Sequence, residues 1–114
     1  YSSAASDVYK RQLTWDDTVA TAAMTRSKEI EKSFSHTRPD GRNFGTAITD
    51  LGITYRGAGE NIAWGQKTPE AVMNAWMNSE GHRANILNPN FKKLGVGYRT
   101  DSQRTPYWTQ LFTY

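Results

Sequence analysis

The 114-residue chain has no cysteine, which removes disulfides, thiolate catalysis and cysteine-ligated zinc in one step. A cysteine-free domain is viable in either redox compartment, so this does not fix where it works. There is no run of 18 apolar residues, so nothing in this sequence reads as a membrane span, and no signal peptide is visible in it. Charge of one sign is also scarce. The net charge is +3 and the tightest basic pair in the second half is Lys92-Lys93, which is too sparse for a nucleic-acid footprint. Weak attraction to an anionic cell envelope fits that charge. The chain carries two histidines, four prolines and no internal repeat or low-complexity linker. What is present is aromatic, with four Trp, six Tyr and four Phe. At this length they suit one globular domain whose small core is built on large rings.

Residues 1–12 show no amphipathic period and read as a leader or foreign remnant. The domain proper reads as 13–114. The first helix is expected to begin at Thr14 as N-cap, with Asp16 and Asp17 in its first turn, and to run to about Ser33. Val19, Ala22, Ala23, Arg26 and Ile30 recur at helical spacing, an apolar stripe interrupted only by Arg26. Asn43 is a candidate cap for a short helix with Ala47, Ile48 and Leu51 on its apolar face and Gly52 as its stop. Thr68-Pro69 opens a third helix carrying Val72, Met73, Trp76 and Met77. Ser79 either ends it or caps another that reaches Leu87 before Asn88-Pro89-Asn90. The tail reads as strand: Leu94, Val96 and Tyr98 alternate, Asp101 to Arg104 form a turn, and Tyr107 to Tyr114 are aromatic and β-branched. Helices first and strands last predict an α+β fold.

Chemistry concentrates in two histidines and two glutamates. His82 stands beside Glu80 in Ser79-Glu80-Gly81-His82-Arg83, at the mouth of a predicted helix. His36 leaves the first helix in Phe34-Ser35-His36, and Glu60 sits in Gly59-Glu60-Asn61-Ile62-Ala63-Trp64-Gly65. Such a set suits a divalent-metal site or general acid–base work. At a helix N-terminus His82 is biased toward its neutral, ligand-competent form. Glu80 serves equally well as a first-turn carboxylate that complements the helix dipole. Asn61 reads as an anchor for loop backbone, and Trp64 and Trp76 as core. The chain contains no HExxH, P-loop, GxSxG or GxGxxG pattern.

Four blocks in order, Phe34-Ser35-His36, Gly59 to Gly65, Gly81-His82-Arg83 through Leu94-Gly95-Val96-Gly97, and Tyr107 to Phe112, resemble the CAP superfamily in its bacterial, SCP-like form, over roughly residues 13–114. That superfamily holds the cysteine-rich secretory, antigen 5 and pathogenesis-related proteins. The resemblance implies an α-β-α sandwich with a central antiparallel sheet between helices. It also implies a shallow cleft of two His and two Glu linked to zinc or another divalent ion. On that basis His36 and His82 are the expected metal ligands, with Glu60 and Glu80 positioning them or a water. The match at Glu80 is the loosest, because the segment before Gly81-His82 is short. The family's opening helix has no counterpart in residues 1–12, which implies a less covered face with an exposed apolar patch, and the chain is expected to be a monomer or a weak dimer. The expected role is a secreted or envelope-associated module that binds a metal, lipid, peptide or glycan. A metal-assisted hydrolase with Glu60 or Glu80 as general base and a purely structural interaction domain are the competing readings.

Overall fold

Asp16 sets the start of the first long helix, because its Oδ1 accepts the Val19 amide at 2.9 Å while its backbone stays extended. The computed structural model describes residues 13–114; the readings placed on residues 1–12 lie outside the described residues. Thr14–Trp15 is a two-residue strand, β1, and is not the helix cap anticipated above, because its backbone pairs in parallel with Lys93 and Leu94. Helix α1 then runs over Asp17–Lys32, with Asp17 in its first turn and Lys32 in its last, both favourable to the helix dipole.

A single turn, α2 (Thr46–Thr49), follows. Asn43 shapes its approach by accepting the Gly45 amide at 2.8 Å, but Gly45 occupies the cap position. Leu51, placed on the apolar face of this helix by its spacing, is exposed beyond the helix end. The glycine stop at Gly52 holds, with φ +85°. Strand β2 covers Ala58–Trp64. Thr68 caps α3 (Pro69–Met77) through the Ala71 amide at 3.0 Å. Helix α4 (Glu80–Leu87) begins after Ser79, whose side chain makes no capping bond. Strands β3 (Lys93–Thr100) and β4 (Pro106–Thr113) close the chain. The turn between them is held by Asp101 Oδ1, which accepts the Gln103 and Thr105 amides at 2.8 and 2.9 Å.

The sheet order is β1-β3-β4-β2. The three long strands are antiparallel, as expected, and the short parallel β1 extends one edge while β2 forms the other. Side chains alternate across β4. Leu111 packs with Val19, Ala22, Ala23 and Ile48 under α1 and α2, whereas Trp108 and Phe112 pack with Met73, Trp76 and Ile86 under α3 and α4. The result is an α-β-α sandwich. Gly95 and Gly97 set how closely α1 lies on the sheet: a Cβ at either would stand 2.2–2.6 Å from backbone atoms of Val19, Ala20, Ala23 or Met24. Among the described residues no helix is long and apolar enough to cross a membrane.

Candidate functional site

Arg26, the one charge on the apolar stripe of α1, is fully buried. A buried guanidinium needs a carboxylate partner, and β2 supplies it. Alternation along β2 turns Glu60 toward α1 and Asn61 toward α4. Arg26 Nε donates to Glu60 Oε2 at 2.6 Å and Nη2 to Glu60 Oε1 at 3.1 Å. Arg26 also donates from Nη1 to Glu29 at 2.9 Å and from Nη2 to the Ser35 carbonyl. Burial works against the guanidinium's charge, but the hydrogen bonds it donates to Glu60 and Glu29 outweigh it and hold its pKa above the ordinary value.

The same Glu60 carboxylate reaches the exit of α1. His36 Nδ1 lies 2.8 Å from Glu60 Oε1. A carboxylate already paired to Arg26 can only accept, so Nδ1 carries the proton and the neutral ring's acceptor is Nε2. The His36 side chain is 59% exposed while Glu60 is fully buried, so the ring leads from the buried pair to the surface. Glu29 adds a further support, since it accepts from Arg38 Nε at 3.0 and 3.1 Å and so pins the loop that carries His36.

His82 comes from the other layer. Asn61 Nδ2 donates to the His82 carbonyl at 3.0 Å and to Gln110 Oε1 at 3.0 Å, and Asn61 Oδ1 accepts from Asn85 Nδ2 at 2.9 Å. The anchoring role anticipated for Asn61 is therefore present, but from inside a strand, and what it anchors is the helix bearing His82. Burial chiefly, and the nearby His36 secondarily, push the His82 pKa below its ordinary value.

Both imidazoles line one cavity of about 500 Å³ at the β2 edge, together with Phe34, Trp64, Trp76 and Ser79. Three of the four expected residues thus meet at the cleft: His36 and His82 face it, and Glu60 lies beneath His36. Glu80 is exposed on the first turn of α4 and is not among the residues lining the cavity. Trp76 is core, with its Nε1 donating to the Ile62 carbonyl at 3.2 Å. Trp64, expected in the core, is instead 57% exposed, because it ends β2 where the sheet runs out. Arg26, Asn85 and the two exposed rings Phe34 and Trp64 were not assigned to the site from sequence. Arg26 alone left a signal there, as a charge on an otherwise apolar stripe. Among the described residues no group of three or more His, Cys, Asp or Glu side chains is placed to hold a metal ion.

Comparison with known proteins agrees with this fold. The family model described as CAP, the cysteine-rich secretory protein family, matches residues 8–112. The chain is 46% identical over 104 residues to the uncharacterized protein YkwD of Bacillus subtilis, covering 90% of this chain and 39% of that protein. It is similar to the crystal structure of an extracellular protein containing an SCP domain from Bacillus anthracis, with 36% identity and a TM-score of 0.80 over 89% of this chain and 33% of that one. An outer surface protein from Borrelia burgdorferi shares the fold, with a TM-score of 0.83 at 21% identity over 96% of this chain and 88% of that one. The chain thus spans well under half the length of the first two relatives.

Proposed function

The chain belongs to the CAP, or cysteine-rich secretory protein, family, and on that premise we propose that it is an exported ligand-binding module whose cleft at the β2 edge takes a divalent ion or a small ligand through His36 and His82. The observation that carries this is the convergence of two imidazoles from opposite layers on one cavity, with the tautomer of His36 set by Glu60. A carboxylate behind a ligating imidazole is a frequent support for metal binding, since it orients the ring and raises its basicity. The extracellular relative from Bacillus anthracis supports export.

The donor set fits an open metal site and not a closed one. Structural zinc takes four protein ligands and catalytic zinc usually three, whereas two imidazoles meet here. His36 and His82 would hold the ion, which would supply Lewis acidity, and solvent or a bound ligand would complete its coordination. Both oxygens of Glu60 are already engaged by Arg26 and His36, and its side chain is fully buried behind His36 and off the cavity wall, so Glu60 steadies His36 and is poorly placed to activate a water in the cleft. That arrangement supports binding over turnover.

Calorimetric titration of zinc into metal-free protein near neutral pH tests the reading. One-to-one saturable binding, lost in a folded His36→Ala, His82→Ala variant, is expected. Equal heats from the two proteins would sink it.

A further inference from the structure

The cleft has a property that two imidazoles do not explain. Among the described residues that line it, none is Asp, Glu, Lys or Arg. Its walls are aromatic and apolar, from Phe34, Trp64 and Trp76, and its polar groups are uncharged hydroxyl and amide, from Ser79 and Gln66, beside the histidines. Phe34 and Trp64 also wall a second hollow of about 300 Å³ that reaches Tyr107. The two rings therefore form a ridge between adjoining hollows, and they are 50% and 57% exposed. Large exposed rings grouped at a concave site mark a binding surface. Gln66 adds a second indication, because its Oε1 is buried with no hydrogen-bond partner among the described residues. A buried acceptor left unpaired is costly, and a ligand donor would relieve it.

We infer that this ridge and cleft bind a short neutral glycan carrying N-acetyl groups, an inference that rests on reading the cleft as a ligand site. A pyranose presents C–H groups on its face and hydroxyls around its rim. The faces of aromatic rings carry partial negative charge and attract those C–H groups, and uncharged donors and acceptors satisfy the rim. An acetamido N–H pairs with Gln66 Oε1 once that side chain, which lines the cleft, turns its buried oxygen toward the ligand, and the acetamido methyl suits the small apolar wall at Ala63 and Ala75.

Other ligand classes fit less well. An anionic ligand would meet no Lys or Arg among the described residues of the cleft, and in the adjoining hollow the one cation, Lys32, stands with Glu31. An extended peptide adding to β2 would need its outer carbonyls, but Glu60 O already accepts from Asn85 Nδ2 at 3.2 Å and Ile62 O from Trp76 Nε1 at 3.2 Å. An acyl chain would leave the imidazoles, Ser79 and Gln66 without partners.

The test is an amide-resolved NMR titration of the whole chain with tetra-N-acetylchitotetraose, run beside cellotetraose, phosphatidylcholine vesicles and zinc chloride. Saturable shifts centred on Phe34, Trp64, Gln66 and Tyr107 are expected, stronger for the acetylated sugar than for cellotetraose. Trp64→Ala should weaken that binding at least tenfold, Trp64→Tyr should retain most of it, and the zinc response of His36 and His82 should persist in both. Because Trp64 is exposed these variants should fold, which their spectra report directly. If the acetylated sugar leaves the spectrum unchanged while zinc still moves His36 and His82, the glycan inference fails and the ligand-site reading stands; if neither acts, both fail. Shifts away from the ridge, equal affinity for the two sugars, unchanged affinity in folded Trp64→Ala, or vesicle binding lost with that variant would each overturn the inference.

Discussion

Glu60 is the residue on which both the stability and the geometry of the cleft turn. It is fully buried, it neutralises an equally buried Arg26, and it orients His36. Removing one partner of such a pair leaves the other charged and unpaired, at a cost of about 3–5 kcal/mol. Arg26→Met is therefore expected to lower the stability measured by urea unfolding by that amount. His36→Ala, which removes an exposed ring, should cost far less in the same measurement. His82 has a different signature. Its folded pKa is depressed below 6.5, so between 6.5 and the folded value the unfolded chain binds more protons. The contribution of His82 is complete above 6.5 and is lost as pH falls from there through the folded value. A ring-proton titration should place the His82 midpoint below 6.5, and His82→Gln should remove part of the decline in stability on mild acidification. A His82 midpoint at or above 6.5 would contradict the burial argument.

At the scale of elements, the seat of α1 on the sheet depends on what β3 lacks. A Cβ at Gly97 would stand 2.4 Å from the Ala23 carbonyl carbon and oxygen, and both are backbone atoms that cannot rotate away. Overpacking of this kind costs roughly 1–3 kcal/mol. Gly97→Ala should lower Tm and, by lifting α1, displace the Arg26 to Glu60 pair and with it His36. Gly81→Ala, where no atom of the described residues lies within 4 Å of the added carbon, is the matched control. This level also shows which parts of the fold were legible in sequence. Thr68-Pro69, the stop at Gly52, the stripe from Val19 to Ile30 and the alternation of Leu94, Val96 and Tyr98 are local signals, and each element formed. Thr14–Trp15 and β2 were not legible, because a strand exists only through its partners. Thr14 pairs with Lys93, and Glu60 with Leu111, far along the chain. Arg26 stood out in sequence only as a charge on an apolar stripe and was not tied to the site, while Asn85 and Trp64 carried no local sign of their roles.

Across the whole molecule the cleft is a junction. His36 arrives from the α1 layer through Arg26 and Glu60, and His82 from the α4 layer through Asn61 and Asn85. β2 lies between them and supplies Glu60 and Asn61 at consecutive positions, one to each face. A ligand that engages both imidazoles therefore bridges two layers that otherwise meet through the sheet, and it binds only when both layers are in place. Linkage then requires the folded state to gain free energy, about 2.7 kcal/mol at a hundredfold excess over Kd. For a domain of this size that corresponds to a rise in Tm on the order of 10 °C. The rise should disappear in His36→Ala and in His82→Ala taken singly, since neither layer alone offers two donors. A zinc-dependent rise that survives either single substitution would mean that the ion is held within one layer, and the cleft would no longer be the site that joins them.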